Sequence, residues 1–479
     1  MPYKDFTVKD FSEGMVDKTE DNFNLPDGAS PDCSNYISMY PGLLQKRPGQ
    51  SRLNSVVLGG TCQGLHSYYY GTTPTRRMVA AYNGKIAYWD YDAGTPAFVE
   101  IATGLDTSAL VKFENCINYM VYCNGVDPPR KWDGTTDSAL ANAPADAQFF
   151  CYHKEQLFCV DKSYPNRLRW SNLINPEDWP GVNYWDISPG DGDEITNLVR
   201  LPDGLVIFKK YSTSVLYGST LDDFQLVQVD SRVGCSGPFA ACVDQGVIYF
   251  IAHDGIYART VSGAATNLTK DRIPRLWDTV NKEFLHLAAI VSFNNIVRAC
   301  VLEGNDGYDS LSYWDTASYF LSTGLGIYIY DNKVWPQRGV FANCFTIYDS
   351  GPIKTLYSGN LIDEYVDIQD TGTDDWGQNI PYWWESWQFD YGTAEREKKC
   401  KKIFVEDTAS STATIAAATD YDSTYTDLTL RRTDGRLREF RGPSTRWRYI
   451  SIKMYGSDKV AATCRGIMAR VKAKNKPRA

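Results

Sequence analysis

Tyr, Val, Ile, Phe and Trp gather in short runs separated by Gly, Asn, Asp and Pro. Clear cases are residues 79–90, 117–123, 204–217, 246–257 and 325–335. Helical periodicity is scarce, and short apolar runs bounded by turn residues predict β-strands. Tyr82-Asn83-Gly84-Lys85 sets Asn-Gly between two such runs, the strongest local hairpin signal.

Five Trp-Asp dipeptides punctuate the chain, beginning at Trp89, Trp132, Trp185, Trp277 and Trp314. Successive spacings of 43, 53, 92 and 37 approximate one unit, with the third a double. A unit of roughly 40–50 residues suits one four-stranded propeller blade. The Gly-His pair that accompanies Trp-Asp in WD repeats is missing, which excludes that family. The expected fold is all-β: a β-propeller over residues 56–375, an N-terminal extended arm over 1–55 and a C-terminal β-sandwich over 376–479. The arm is rich in turn chemistry (Pro26-Asp27-Gly28, Ser30-Pro31-Asp32, Arg47-Pro48-Gly49) and poor in strand signals. The last stretch opens on Trp383-Trp384-Glu385-Ser386-Trp387, continues in alternating strands and ends in a basic tail, 471–479.

Composition narrows the classes. Aromatic residues are 14% and charged residues 22% of the 479, enough to bury a core and to exclude global disorder. The net charge of -9 is unevenly spread. Residues 1–394 carry 29 Lys+Arg against 48 Asp+Glu, while 395–479 carry 20 against 10. Such asymmetry predicts different partners for the two parts. The opening residues show no apolar core of a secretory signal, and the apolar runs are too short to cross a bilayer. The twelve cysteines form no CxxC pair and are expected to be small buried hydrophobes in a reducing compartment.

Catalytic constellations are not found. GxSxG and the phosphate loop are missing, and Gly190-Asp191-Gly192 lacks the third glycine of a dinucleotide fingerprint. His66, His153, His253 and His286 are isolated, so neither a metal nor another cofactor is expected. Asp191, Asp193 and Glu194 cluster after a Pro-Gly turn, and Asp374-Asp375 adjoins Trp376. Paired acids near Trp suit glycoside hydrolysis; solvated turn-capping acids are the plainer reading. Arg431, Arg432, Arg436, Arg438, Arg441, Arg446 and Arg448 lie within 18 residues, mixed with Asp434 and Glu439. A salt-bridged protein interface, a DNA contact and a solvated face all fit that density.

The first specific signal is N-terminal. Phe11-Ser12-Glu13-Gly14-Met15 leads through Leu25-Pro26-Asp27-Gly28-Ala29-Ser30 and Cys33-Ser34-Asn35 to Gly42-Leu43-Leu44-Gln45-Lys46-Arg47-Pro48-Gly49. A second block runs from Arg169-Trp170-Ser171-Asn172 through Asn175-Pro176-Glu177-Asp178-Trp179 and Gly192-Asp193-Glu194-Ile195 to Gly204–Lys210 and Ser214–Gly218. A third is Gly246–Phe250 with Asp254–Tyr257. Together, over roughly a third of the chain, these resemble the tail nozzles of short-tailed bacteriophages, the family of tail tubular protein B and packaged-DNA stabilisation proteins. The start departs from that family, with Ser12-Glu13-Gly14 in place of Gly-Gly, and 479 residues is short for nozzles that carry fibre-docking and tip domains.

The resemblance implies a structural, non-enzymatic virion protein, made in the bacterial cytoplasm and resident in the tail. It implies a homo-hexamer below the head–tail adaptor protein, contacts to tail fibres or needle and tip proteins, and a channel for double-stranded DNA that passes without specific binding. On that reading Arg47, Trp383, Trp384, Trp387, Arg431, Arg432, Arg436 and Arg438 are interface candidates, with ordinary core packing the alternative for the tryptophans. Asp191, Asp193 and Glu194 are channel-lining candidates, since acids repel phosphate. A glycan-binding or glycoside-hydrolysing propeller, or another tail hub or receptor-binding component, are the alternative functions.

Overall fold

The structure is a computed structural model. It describes residues 3–473 apart from 19–24, 27, 41, 72–74, 305–323, 341, 352, 361–363, 391–394, 408–411 and 421. Trp314-Asp315, the middle of Pro26-Asp27-Gly28 and tail residues 474–479 lie outside the described residues.

The fold is all-β. Among the described residues the helical pieces are Pro274–Asp278 and the 3-10 turn Lys282–Leu287. No helix there is long and apolar enough to cross a membrane. Seven four-stranded antiparallel sheets follow one another along the chain. Their first strands are Cys62–Tyr70, Lys112–Cys116, Ala147–His153, Ile195–Leu201, Ala241–Asp244, Ala289–Phe293 and Cys344–Asp349, numbered here as sheets one to seven. Each first strand packs beside the next, and that of sheet seven packs beside that of sheet one. Sheet seven takes its fourth strand, Gln50–Arg52, from the N-terminal segment, paired to Val366–Gln369.

Local chemistry explains the hairpins. Asn83 and Gly84 both have positive φ (45° and 68°), as a two-residue primed turn requires. Asn294-Asn295 and Gln245-Gly246 use the same geometry between the first and second strands of sheets six and five. Lys154-Glu155 does so in sheet three, at φ 47° and 59°, with no turn-forming residue to announce it.

The Trp-Asp ruler does not survive. Trp89 and Trp132 end third strands, but Trp185 is on the fourth strand of sheet three and Trp277 is helical. The recurring feature is a buried Trp ending the third strand of the first three sheets: Trp89, Trp132 and Trp170. It packs between sheets, and the residue after it is Asp90, Asp133 or Ser171.

Two larger sheets complete the molecule. A five-stranded sheet runs Cys33–Ser34, Ile380–Glu385, Ile450–Asp458, Thr414–Thr419, Thr426–Asp427. A seven-stranded sheet orders Tyr36–Tyr40, Leu43–Lys46, Thr463–Ala473, Lys398–Asp407, Leu437–Arg441 and Leu430–Asp434, with Lys4–Val8 also on Thr463–Ala473. Ile403, Val405, Phe440 and Ile467 from one meet Ile415, Ile452 and Met454 from the other in a shared core. That core continues into sheets four to six through Phe11, Trp335 and Ile327. The expected strand-poor arm is corrected here: residues 1–55 supply five strands, to both larger sheets and to sheet seven. Their register comes from distant partners, so local propensity understates them.

The cysteines behave as expected of small apolar side chains. Eleven are buried, Cys242 is half-buried, and all twelve are free thiols.

Candidate functional site

The residues that carry the N-terminal motif converge on one internal junction. Asn35 adopts φ 57°; its side-chain N–H donates to the Pro381 carbonyl at 2.7 Å and its oxygen accepts from Arg47 Nε at 2.9 Å. Arg47 then donates to both carboxylate oxygens of Asp375, at 2.9 and 2.5 Å, and to the Pro48 and Arg338 carbonyls. Gly49 passes so close to residue 374 that a Cβ would lie 1.9 Å from the Asp374 carbonyl oxygen. Gly14, at φ 69°, lets Met15 N–H reach the Val334 carbonyl at 2.9 Å. Glu13 pairs with Lys333 (2.7 Å) and Arg272 (3.2 Å). Motif positions therefore fasten the first fifty residues to sheets six and seven and to the larger sheets. Arg47, expected at an interface, is buried and fully engaged inside the chain.

The tryptophan cluster divides by strand alternation. Trp384 is buried edge-on against Phe11, ring centroids 5.1 Å apart, so it is core and offers no surface. Trp383 faces the other way, half-buried, its Nε1 donating to Asp32 at 2.9 Å with the Arg338 guanidinium 5.2 Å from its ring. Trp387 is half-buried against Val16, Leu25, Ala29 and Phe389.

The arginines divide likewise. Arg438 is buried, paired with Asp407 and donating to the Ala413 carbonyl at 2.7 Å, which removes it from the surface set. Arg431, Arg432 and Arg436 are exposed on the hairpin joining Leu430–Asp434 to Leu437–Arg441. Every residue of Leu430–Asp434 is exposed, and among the described residues it pairs on one side only. On the solvent face of the same sheet Arg441, Lys402, Arg470 and Asp5 stand in one cross-strand row. Lys402 pairs with Glu439 and Arg470 with Asp5, each at 2.7 Å, and these bonds hold both carboxyls below their usual range. Lys399, Lys401, Arg441 and Lys472 remain exposed around them. The sheet thus presents a basic face ending in an open, basic edge strand.

Asp191, Asp193 and Glu194 occupy the exposed connection between sheets three and four. Asp191 pairs with the buried Lys209 ammonium at 2.7 Å. Burial pushes its carboxyl up, but Lys209 and the Asp193 N–H outweigh that and hold it low. Asp193 accepts from Tyr211 N–H (3.1 Å) and Ser212 hydroxyl (3.3 Å). A general acid needs a raised pKa, and Asp191 is tuned the opposite way.

Residues of sheets one, two and seven and of the segment entering sheet five meet at a further point, marked only faintly in the sequence. Phe239, from the segment entering sheet five, packs with the Cys62, Leu65 and Cys344 cluster of sheets one and seven. Lys112, from sheet two, sets its ammonium 4.6 Å from the Phe239 ring centroid. Burial lowers the Lys112 pKa, and among the described residues it has no ion pair. The nearby Glu114 is committed to Arg200 at 3.0 Å. His66 bonds Asn115 at 2.9 Å and burial lowers its pKa to about 4. The alternation Lys112-Phe113-Glu114-Asn115 was the available signal: polar positions alternating with apolar ones on a strand. Among the described residues no cluster of His, Cys, Asp and Glu suits a metal ion.

No family model matches this sequence, and no curated protein matches it. Among solved structures, the chain is similar to the extracellular domain of a putative one component system from B. thetaiotaomicron, at 10% identity and a TM-score of 0.41. The match covers 70% of this chain and 41% of that one, so the chain spans less than half the length of that structure.

Proposed function

We propose that this chain is a structural tail protein of a short-tailed bacteriophage, the nozzle that extends the portal–adaptor channel, retains packaged DNA and conducts it during ejection. In this reading the seven sheets are blades of one propeller, closed by the N-terminal strand Gln50–Arg52, and the two larger sheets form a sandwich that serves as the assembly platform. The observation that carries the reading is the exposed basic sheet face and open edge strand, Arg431, Arg432, Arg436 and Arg441, on a chain whose remainder is acidic. A head-to-tail ring needs two different complementary patches per subunit, and segregated opposite charge supplies them.

Phe239 and Lys112 meet beside the first strands of sheets one, two and seven, and in this reading the DNA conduit lies between subunits. Glu194, exposed, and Asp193, half-buried, in the connection between sheets three and four, belong on its wall, where they let duplex slide. The internal role of the motif residues supports the resemblance as well: Asn35, Arg47 and Gly49 are required by the fold itself.

The test is a symmetry-resolved cryo-EM reconstruction of the purified protein or its parent particle. Six copies around a channel wider than duplex DNA, about 20 Å by groove dimensions, are expected. A protein that stays monomeric at all concentrations, with or without its adaptor, overturns the reading.

A further inference from the structure

Cys62 opens the first strand of sheet one and Cys344 the first strand of sheet seven. Both side chains are fully buried, and their sulfurs are 3.8 Å apart. Gly359, on the second strand of sheet seven, makes the room: a Cβ there would lie 2.5 Å from Cys62 Sγ and 2.6 Å from Cys344 Sγ.

Sheets one and seven are the two ends of the array. Chain runs from the fourth strand of each sheet to the first strand of the next, and here too residues 53–61 lead from Gln50–Arg52 to Cys62, but Gln50–Arg52 comes from the N-terminal segment and joins sheet seven only through its pairing with Val366–Gln369. These two are held by packing, by the Asn343 side chain donating to the Cys62 carbonyl at 2.6 Å, and by the strand Gln50–Arg52 that leads into sheet one. Opening here needs only the hydrogen bonds that hold Gln50–Arg52 and Leu53 to the third strand of sheet seven to break, so this seam is a place for local unfolding to reach the interior of the array. The two thiols sit at that seam, 282 positions apart.

We infer that Cys62 and Cys344 form a latent cross-link that seals the two ends of the array when a small-molecule disulfide is present as oxidant. When the seam opens, one cysteine thiolate attacks the reagent's S–S bond. A protein–reagent mixed disulfide forms and one reagent thiolate leaves. The second cysteine thiolate then attacks the protein sulfur of that mixed disulfide, forming the Cys62–Cys344 bond and releasing the second reagent thiolate. Two protein thiols are oxidised, one reagent disulfide is reduced, and the two protons lost by the cysteines are taken up, through solvent, by the two reagent thiolates to give two thiols. The sulfurs must close by about 1.8 Å to reach bonding distance. While the seam is shut, burial keeps the Cys344 thiol protonated and unreactive, so exchange waits on opening.

The inference is independent of the proposed role in a tail. It is tested on the intact wild-type chain incubated with excess oxidised glutathione, in native buffer and in about 1 M urea to promote opening. Free thiols are then alkylated and the digest mapped by mass spectrometry. The expected result is a Cys62–Cys344 peptide as the dominant cross-link, a loss of ~2 Da per chain, and a thermal midpoint raised by about 5 °C that reductant reverses. Cys344→Ala, with Cys62 retained, should lose the shift. A different dominant pairing, glutathione adducts without the internal bond, no reaction in urea, or a cross-link that leaves the midpoint unchanged would each overturn it.

Discussion

Arg47 and Asp375 are 328 positions apart, yet their side chains meet in a two-pronged ion pair with contacts of 2.9 and 2.5 Å. Their side chains are 3% and 10% exposed, so the pair works largely away from water. Asn35 steers the guanidinium from one side and the Arg338 carbonyl from the other. One arginine thus ties the N-terminal segment to the strand-poor stretch that leads from sheet seven into the larger sheets.

Removing one partner strands the other charge in a poorly solvated site. Arg47→Ala is expected to cost about 3–5 kcal/mol, read from urea unfolding of the purified chain. Arg47→Lys keeps the charge but loses the fork that spans both carboxylate oxygens, and should fall between. A loss below about 1 kcal/mol, within the range of exposed pairs, would show that the junction is not what holds the segment.

Acid should loosen the seven-sheet array before the carboxylates titrate. Burial lowers the pKa of both His66 and His153 to about 4, against about 6.5 in an unfolded chain. Between those values the unfolded state binds more protons, so stability is complete above about pH 6.5 and declines as pH falls. The slope is at most about 1.4 kcal/mol per pH unit for each histidine. Urea midpoints at pH 7.5, 6 and 5 measure it. His153→Gln, at a site only 6% exposed, should flatten the decline; an unchanged profile would assign it elsewhere.

Lys112 keeps an ammonium among Phe239 and buried thiols, where burial disfavours the charged form. Methionine matches its length without the charge. Lys112→Met is expected to raise stability by about 1 kcal/mol, the sign usual when a desolvated charge gives way to an apolar side chain. A fall of that size would mean that the charge is compensated within the array.

Strands with local signals were legible: Asn83-Gly84 turned as written, and the apolar run Val247–Ala252 is a strand. What escaped reading depends on distant partners. Tyr36–Tyr40 and Leu43–Lys46 are strands because Thr463–Ala473 and the core lie beside them. The candidate residues show the same division. Trp383 and Trp384 are adjacent and chemically identical, and only strand alternation sends one to the core and the other toward Asp32. Arg436 and Arg438 share a hairpin, but Asp407 across the sheet claims only the second. Lys112 and Phe239 meet because sheets one, two and seven and the segment entering sheet five pack together there, an arrangement that no local window contains.

That division makes the exposed arginines separable from the buried ones in experiment. Arg431, Arg432 and Arg436 are exposed, and among the described residues the ion pair these three make is that of Arg432 with Asp434, at 3.0 Å with both side chains more than two-thirds exposed. Replacing all three by Glu should leave the monomer within about 0.5 kcal/mol of wild type, as surface changes do. On the proposed tail role, self-assembly and adaptor binding, followed by mass photometry, should be lost, because replacing the basic edge by an acidic one turns attraction to an acidic surface into repulsion. Wild-type assembly should weaken as salt rises, since contacts across an exposed rim are screened within about 10 Å at 0.1 M. Arg438→Glu is the internal comparison: it places a second carboxylate beside the buried Asp407 and should unfold the two larger sheets. If the triple variant assembles like wild type, the basic edge is a solvated surface, and the contacts that build the ring must be sought around Trp383.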